Sequence, residues 1–92
     1  MTTSTKDQTM VWHSDPSHAW LEVSIPQLCE AGLILSDLSI YSYRQGSTLY
    51  LEEDYDAPLY LQSSGRACRT IERHLRRLHW IRLLPRVKDR YQ

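Results

Sequence analysis

The sequence contains no phenylalanine and no asparagine, and it has only three glycines and two cysteines. Tyrosine and tryptophan supply all nine aromatic rings, so each ring brings a polar group suited to a surface or an interface. Three glycines are too few for a glycine-rich phosphate loop. Because Cys29 and Cys68 fit neither a CxxC motif nor a zinc-ligand spacing, we expect two free thiols in a reducing compartment.

Long apolar runs are also missing. No stretch approaches the ~20 residues of a membrane span, and the Thr-rich start of the chain lacks the apolar core of a signal peptide. We therefore expect a protein that works in the cytosol. Its 92 residues suffice for one domain. We expect a flexible arm over residues 1–9, a single domain over residues 10–87 and a tail over residues 88–92.

Alternating apolar and polar residues predict two pairs of strands. Residues 10–13 and 18–24 flank an Asp15-Pro16 turn, and residues 38–43 and 48–51 flank a tight turn at Gln45-Gly46. Two short helices are predicted as well, one from Pro26 to Gly32 and one from an Asp56 N-cap to Gly65. These elements predict an α+β fold, with a small antiparallel sheet of about four to six strands and two short helices packed on one face.

The segment of residues 66–84 fits two structures. Ile71, Leu75 and Leu78 follow helical spacing, and Glu72 can pair with Arg76 four residues later. The same residues also fit a β-hairpin that turns near Arg76 and Arg77 and has a second strand from Trp80 to Leu84. Pro85 ends either structure.

The formal net charge is zero, which at first argues against a nucleic-acid partner. The sum hides an asymmetry, however. Residues 1–65 carry two cations and nine acids, a net charge of −7, whereas residues 66–92 carry nine cations and two acids, a net charge of +7. Eight of the nine C-terminal cations are arginine, which binds phosphate and carboxylate through two parallel hydrogen bonds and stacks on bases.

The basic part of the chain therefore predicts a surface for RNA, DNA or an acidic protein groove. The alternative is a solvated face whose arginines pair with the acidic part of the same molecule. Aromatic and imidazole rings are available there for stacking. The predicted partner-binding residues are Arg66, Arg69, Arg73, Arg76, Arg77, Arg82, Arg86, Lys88, Arg90 and Trp80. Reversing Arg76 and Arg77 should weaken binding far more than reversing Lys6.

An acidic cluster lies at the end of the second strand pair. Glu52, Glu53, Asp54 and Asp56 could imitate phosphates in the basic groove of a partner, or they could form a solvated loop that caps the second helix. We favour the loop, because an aspartate at position 56 can cap that helix.

Catalytic and metal-binding patterns are weak. His13, Asp15 and His18 are ligand types for a metal, but their spacing matches no compact motif and they span a proline turn. Adjacent residues of a strand point to opposite faces, so Glu52 and Glu53 should not share a site.

Cys68 could act as a thiol nucleophile with His74 or His79 as its base, but no residue pattern in the sequence would orient such a pair. We therefore expect no catalytic residues, no metal, no cofactor and no enzymatic activity.

Two strings carry a resemblance to known proteins: residues 13–23 (HSDPSHAWLEV), and residues 39–43 (SIYSY) continuing to residues 49–58 (LYLEEDYDAP). They resemble small proteins of phages and mobile elements. Over residues 11–87 the size and pattern look most like phage anti-CRISPR proteins that inhibit the type I-F Cascade (Csy) complex. In related mobile-element proteins, the stretch corresponding to residues 71–87 looks like strand, polar turn and strand, which favours the hairpin here.

The resemblance implies a function. Such an inhibitor is a compact wedge that docks on Cas backbone subunits and their crRNA in the host bacterial cytoplasm and blocks pairing with target DNA. Its partners would be Cas proteins and, by direct contact, crRNA, with neither a membrane nor a small-molecule substrate involved. The alternative function is a small nucleic-acid-binding regulator encoded by a phage or mobile element.

Overall fold

A computed structural model describes residues 8–65, 68–77 and 79–88. Five strands form one sheet, in the order β3-β4-β2-β1-β5. The elements in chain order are β1 (Gln8–Ser14), β2 (Ala19–Ser24), α1 (Ile25–Glu30), a first 3-10 helix (Leu35–Asp37), β3 (Tyr43–Gln45), β4 (Thr48–Glu52), α2 (Asp56–Ser64), β5 (Cys68–His74) and a second 3-10 helix (Trp80–Leu83).

The predicted α+β class is confirmed, with a sheet of five strands and two α-helices. The sheet is mixed, however, rather than wholly antiparallel. Three pairings are antiparallel, whereas β5 pairs with β1 in parallel, from Gln8 opposite Cys68 to Ser14 opposite His74. The cause is α2, which returns the chain across the sheet so that β5 runs in the direction of both β4 and β1.

One face of the sheet is apolar and holds the main core. Strand alternation places Leu21 and Val23 of β2 opposite Leu51 and Leu49 of β4, and all four side chains are fully buried. Both helices cover this face, as predicted, and contribute Leu28 from α1 and Ala57 and Tyr60 from α2 to the same cluster. We call this side of the sheet the helix face.

Local sequence fixes the start of α1. Ser24 is its N-cap, and the Ser24 hydroxyl accepts a hydrogen bond from the Gln27 amide while the Gln27 side chain accepts one from the Ser24 amide. Pro26 lies in the first turn, where its missing amide costs no hydrogen bond.

Asp56 has a different role from the predicted N-cap. The N-cap of α2 is Tyr55, which makes no capping hydrogen bond with its side chain. The buried Asp56 carboxylate instead accepts hydrogen bonds from the Ser39 amide and from the hydroxyls of Ser39 and Ser42. It therefore ties the loop before β3 to α2. Gly65 ends α2 in the left-handed region, at φ 61°.

The predicted hairpin over residues 66–84 is wrong in its second half. Its first strand exists as β5, but β5 pairs with β1, and the residues expected as the second strand form the second 3-10 helix. That helix crosses the other face of the sheet and buries Ile81 there against Trp20, Tyr43 and Tyr50. We call this side the ring face. A flat strand at the sheet edge would have left Ile81 without that cover.

Candidate partner-binding surface

The buried carboxylate of Asp15 holds the second 3-10 helix on the ring face. Its Oδ1 accepts the amides of Ser17 and His18, which forms the proline turn expected there. Its Oδ2 accepts the His79 amide at 2.9 Å and Arg82 Nε at 2.7 Å. The Arg82 guanidinium also donates from Nη2 to Oδ1, so the ion pair has two hydrogen bonds. Arg82 and the amides hold the pKa of Asp15 far below its usual range.

A cluster of rings fixes Trp80 beside this ion pair. The Trp80 ring makes edge contacts with His13 and Tyr50, and it is tilted against His79 at 4.9 Å. Trp20 lies below, with the Arg82 guanidinium 5.3 Å from its ring centre. Trp80 nevertheless remains 43% exposed. The cluster therefore presents one face of an indole that is held on its other sides.

The imidazole of His79 is buried and serves as an acceptor. Its Nδ1 accepts the Ile81 amide at 3.2 Å and so caps the second 3-10 helix. Burial is the main cause that lowers the pKa of His79, and the neighbouring His13 lowers it further. The folded state therefore favours the neutral form of the His79 imidazole.

A groove of about 680 Å³ opens between the end of β5 and the second 3-10 helix. Its apolar part includes Trp80 and Leu83, of which Leu83 is 87% exposed. Its basic part includes Arg76 and Arg77. The groove is lined by His74, Leu75, Arg76, Arg77, His79, Trp80, Arg82 and Leu83.

Four of the predicted partner-binding arginines form an exposed edge next to this groove. Arg69 and Arg73 share one side of β5, and Arg76 and Arg77 lie in the bend two and three residues after its last residue. All four are exposed, and none pairs with an acidic side chain in the described part of the chain. We call Arg69, Arg73, Arg76 and Arg77 the arginine ridge.

Three further predicted residues make internal contacts. Arg82 binds Asp15, the Arg86 guanidinium lies 4.3 Å from the centre of the Tyr43 ring and donates to the Ile40 carbonyl, and Lys88 donates to the Ser36 carbonyl. Their contacts fasten residues 79–88 to the rest of the domain. A partner-binding role for these three stays a prediction. Arg66 and Arg90 lie outside the described residues.

The side chains of His13, Asp15 and His18, which were considered above as metal ligands, do not meet at one site. His13 Nε2 lies 2.7 Å from Glu22 Oε1, Asp15 is engaged with Arg82, and His18 is exposed on the other side of the turn. The turn between β1 and β2 therefore sends these three side chains in different directions.

His18 lies beside Glu52 and Glu53 and not beside Asp15, with which the sequence analysis grouped it. One ring nitrogen of His18 and one carboxylate oxygen each of Glu52 and Glu53 lie within 4.8 Å of one another. The prediction that the two glutamates cannot share a site is wrong, because β4 ends at Glu52 and Glu53 already lies in the following turn. Burial raises the pKa of Glu52, although its Oε1 accepts the amides of Asp54 and Tyr55.

Ser14, Glu72 and His74 come together without forming a nucleophile. The Ser14 hydroxyl donates to Glu72 Oε2 at 2.8 Å and lies 2.8 Å from His74 Nδ1. In a catalytic triad the histidine lies between the hydroxyl and the carboxylate, whereas here the hydroxyl lies between them. The side chain of Cys68, the other candidate nucleophile, lies outside the described residues.

The sequence did not predict that neighbouring rings hold Trp80 in place, nor that Asp15 binds the second 3-10 helix. The Asp15-Pro16 pair did indicate a turn, but nothing in the spacing indicated that one oxygen of the carboxylate would bind a residue 67 positions later. Long-range ion pairs of this kind leave no local pattern in a sequence.

Neither a family model nor a curated protein nor a solved structure matches this chain. Within the described ranges, the helices are all too short or too polar to cross a bilayer.

Proposed function

We propose that this protein is a non-enzymatic inhibitor of the type I-F Cascade (Csy) complex, acting in the host bacterial cytoplasm without a cofactor. It binds the complex through the arginine ridge and the exposed ring of Trp80 and keeps target DNA from pairing with the crRNA. The observation that carries this proposal is the ridge itself. Four exposed arginines without acidic partners in the described residues stand beside an indole held in place by other rings.

The chemistry of this surface matches a ribonucleoprotein. Arginine binds phosphate oxygens through two parallel hydrogen bonds, and an exposed indole stacks on an unpaired base or an arginine plane. A crRNA displayed on Cas subunits offers phosphates and unpaired bases together. An isolated protein groove offers only part of this set.

One group of acidic residues lies on a different strand from the ridge, which also supports the proposal. β4, which leads to Glu52, Glu53 and Asp54, is three strand positions away from β5, or about 14 Å across the sheet. The ridge can therefore contact an RNA backbone while the acidic end of β4 contacts a basic channel beside it. Asp15, Glu52 and Asp56 contribute little to the acidic surface, because all three are buried and hydrogen-bonded.

The direct test is a gel-shift assay with purified type I-F surveillance complex and target DNA. We expect the protein to abolish DNA binding when it is added to the complex first. Full DNA binding at saturating protein would refute the proposal.

Charge reversal then tests the surface. The double variant R76E/R77E should weaken binding to the complex by about tenfold or more, since each lost phosphate contact also turns an attraction into a repulsion. R44E is the matched control, because Arg44 lies on β3 at the opposite edge of the sheet. Equal losses in the two variants would exclude the ridge as the contact surface.

A second function follows from the same ridge, namely a small regulator that binds free DNA or RNA. Since Trp80 and the ridge need no Cas protein to contact nucleic acid, this function predicts a shift of naked DNA or RNA at low salt. The affinity for nucleic acid should fall with salt concentration. The slope of log affinity against log salt should drop by about one for each ridge arginine removed. No shift at low salt would reject this alternative.

A further inference from the structure

The turn between β1 and β2 meets the end of β4 at a cluster that the proposed function does not use. The Glu53 amide donates a backbone hydrogen bond to the Ala19 carbonyl, and the Ala19 amide donates to the Glu53 side chain, which brings the two segments together. His18 immediately precedes β2, so its imidazole stands beside the carboxylates of Glu52 and Glu53.

We propose that His18, Glu52 and Glu53 bind one divalent transition-metal ion, with zinc as the best match. Imidazole nitrogen and carboxylate oxygen are both zinc ligands, and three protein ligands leave a fourth position for water or for a group of a partner. The proposal does not depend on the proposed function.

The burial of Glu52 is the independent observation in favour of a cation. The residue is only 7% exposed, and no described lysine or arginine pairs with it. Its Oε1 accepts two amides, but its Oε2 has no hydrogen-bond partner among the described residues. A buried carboxylate oxygen without a partner is costly, and a bound cation removes that cost.

The geometry requires only small side-chain movements. Ligand distances of ~2.1 Å place the ligand atoms of a tetrahedral zinc site about 3.4 Å apart, and the atoms here lie within 4.8 Å of one another. The exposed His18 can supply this movement without disturbing the core. Glu53 is half-buried, and its Oε1 accepts the Ala19 amide at a long 3.2 Å, so its other oxygen remains available.

The test is binding of zinc alone to the full-length, metal-free protein, measured by isothermal titration calorimetry, with cobalt as a spectroscopic substitute. We expect one equivalent of zinc to bind, and cobalt to give the visible absorption of a four-coordinate site. Losing a residue that merely orients a ligand costs about 10–100-fold in metal affinity, so H18A and E53Q should each weaken binding by at least that factor.

Two matched variants distinguish zinc binding at this site from zinc binding by other exposed histidines and glutamates. H74A removes an exposed histidine on β5, and E30Q removes an exposed glutamate at the end of α1, so both should bind zinc as the unchanged protein does. Circular dichroism verifies that each variant is folded, and cobalt absorption in E53Q provides a second readout if H18A is unstable. No zinc binding, or equal binding by H18A and H74A, would overturn the proposal.

Discussion

The two faces of the sheet are held by different forces. The helix face is a continuous apolar core of leucines and valine covered by α1 and α2. The ring face is covered by residues 79–86, where Ile81 is buried against aromatic rings and the other contacts are ion pairs and hydrogen bonds. Apolar burial is non-directional, whereas removing one partner of a buried ion pair leaves the other charge buried and uncompensated.

This difference bears on function because the proposed contact surface belongs to the ring face. Trp80 lies on this face, and the arginine ridge adjoins the groove beside it. Directional contacts hold an exposed side chain in one position, which lowers the entropy lost on binding. A leucine core beneath Trp80 would bury it or leave it loose.

The largest expected effect comes from removing the charge of Asp15. In D15N the Arg82 guanidinium loses its carboxylate partner. The NH₂ group of the new asparagine also places a donor near the donors of Arg82 and His79. We therefore expect a loss of about 4 kcal/mol in the free energy of unfolding. Chemical denaturation measures the loss, and hydrogen exchange should show the amides of residues 79–84 opening first. D37N is the control, because Asp37 is exposed and, among the described residues, its side chain accepts one amide, that of Ile34.

L49A tests the same comparison from the helix face. Leu49 is fully buried in the main core, and its truncation should cost about 3 kcal/mol. Hydrogen exchange should here accelerate throughout the sheet, without the early opening of residues 79–84. If D15N and L49A give the same exchange pattern, the two faces are one cooperative unit and the distinction between them fails.

The fold class was predictable because its signals are local. The alternation in residues 18–24, Pro26 in the first turn of α1, and Gly65 at the end of α2 are each set by neighbouring residues. The second 3-10 helix was not predictable, because it depends on Asp15, far away in the sequence. The parallel partner of β5 was missed for the same reason.

The candidate surface was predictable only in part. The charge count at Gly65 identified the basic segment, and the ridge lies within it. The count could not separate Arg76, which is exposed, from Arg82, which binds Asp15, since both are arginines in one charged run. Nor could strand alternation place Glu52 and Glu53 together, because the end of β4 is set by the turn that follows it.

A smaller effect concerns pH. The pKa of His79 is lowered in the folded state, so its contribution to stability is complete above about pH 6.5, the unfolded value. The contribution is lost as the pH falls through the lower, folded pKa, because His79 must then take up a proton in a buried site beside His13 and Arg82. The neighbouring Asp15 favours the protonated form but does not outweigh these effects.

H79N tests this dependence, since an asparagine oxygen can replace Nδ1 as the acceptor of the Ile81 amide. The variant will be less stable at every pH because it loses ring contacts, so the measurement is the slope of the unfolding free energy between pH 7 and pH 5. We expect a shallower slope than in the unchanged protein. An unaltered slope in H79N would place the titrating group elsewhere.

The smallest expected effect is at Arg86, at the far end of the segment that covers the ring face. Its guanidinium lies over the Tyr43 ring and donates to the Ile40 carbonyl, but both contacts are exposed to solvent. The backbone also holds this region, through hydrogen bonds from Arg44 to Pro85 and from Val87 to Ser42. R86K keeps the charge and loses the planar fork, so thermal unfolding should show a loss of only about 0.5 kcal/mol. A loss comparable to that of D15N would mean that the ring face is fastened at Tyr43 and not at Asp15, and the ion pair would then be one contact among several.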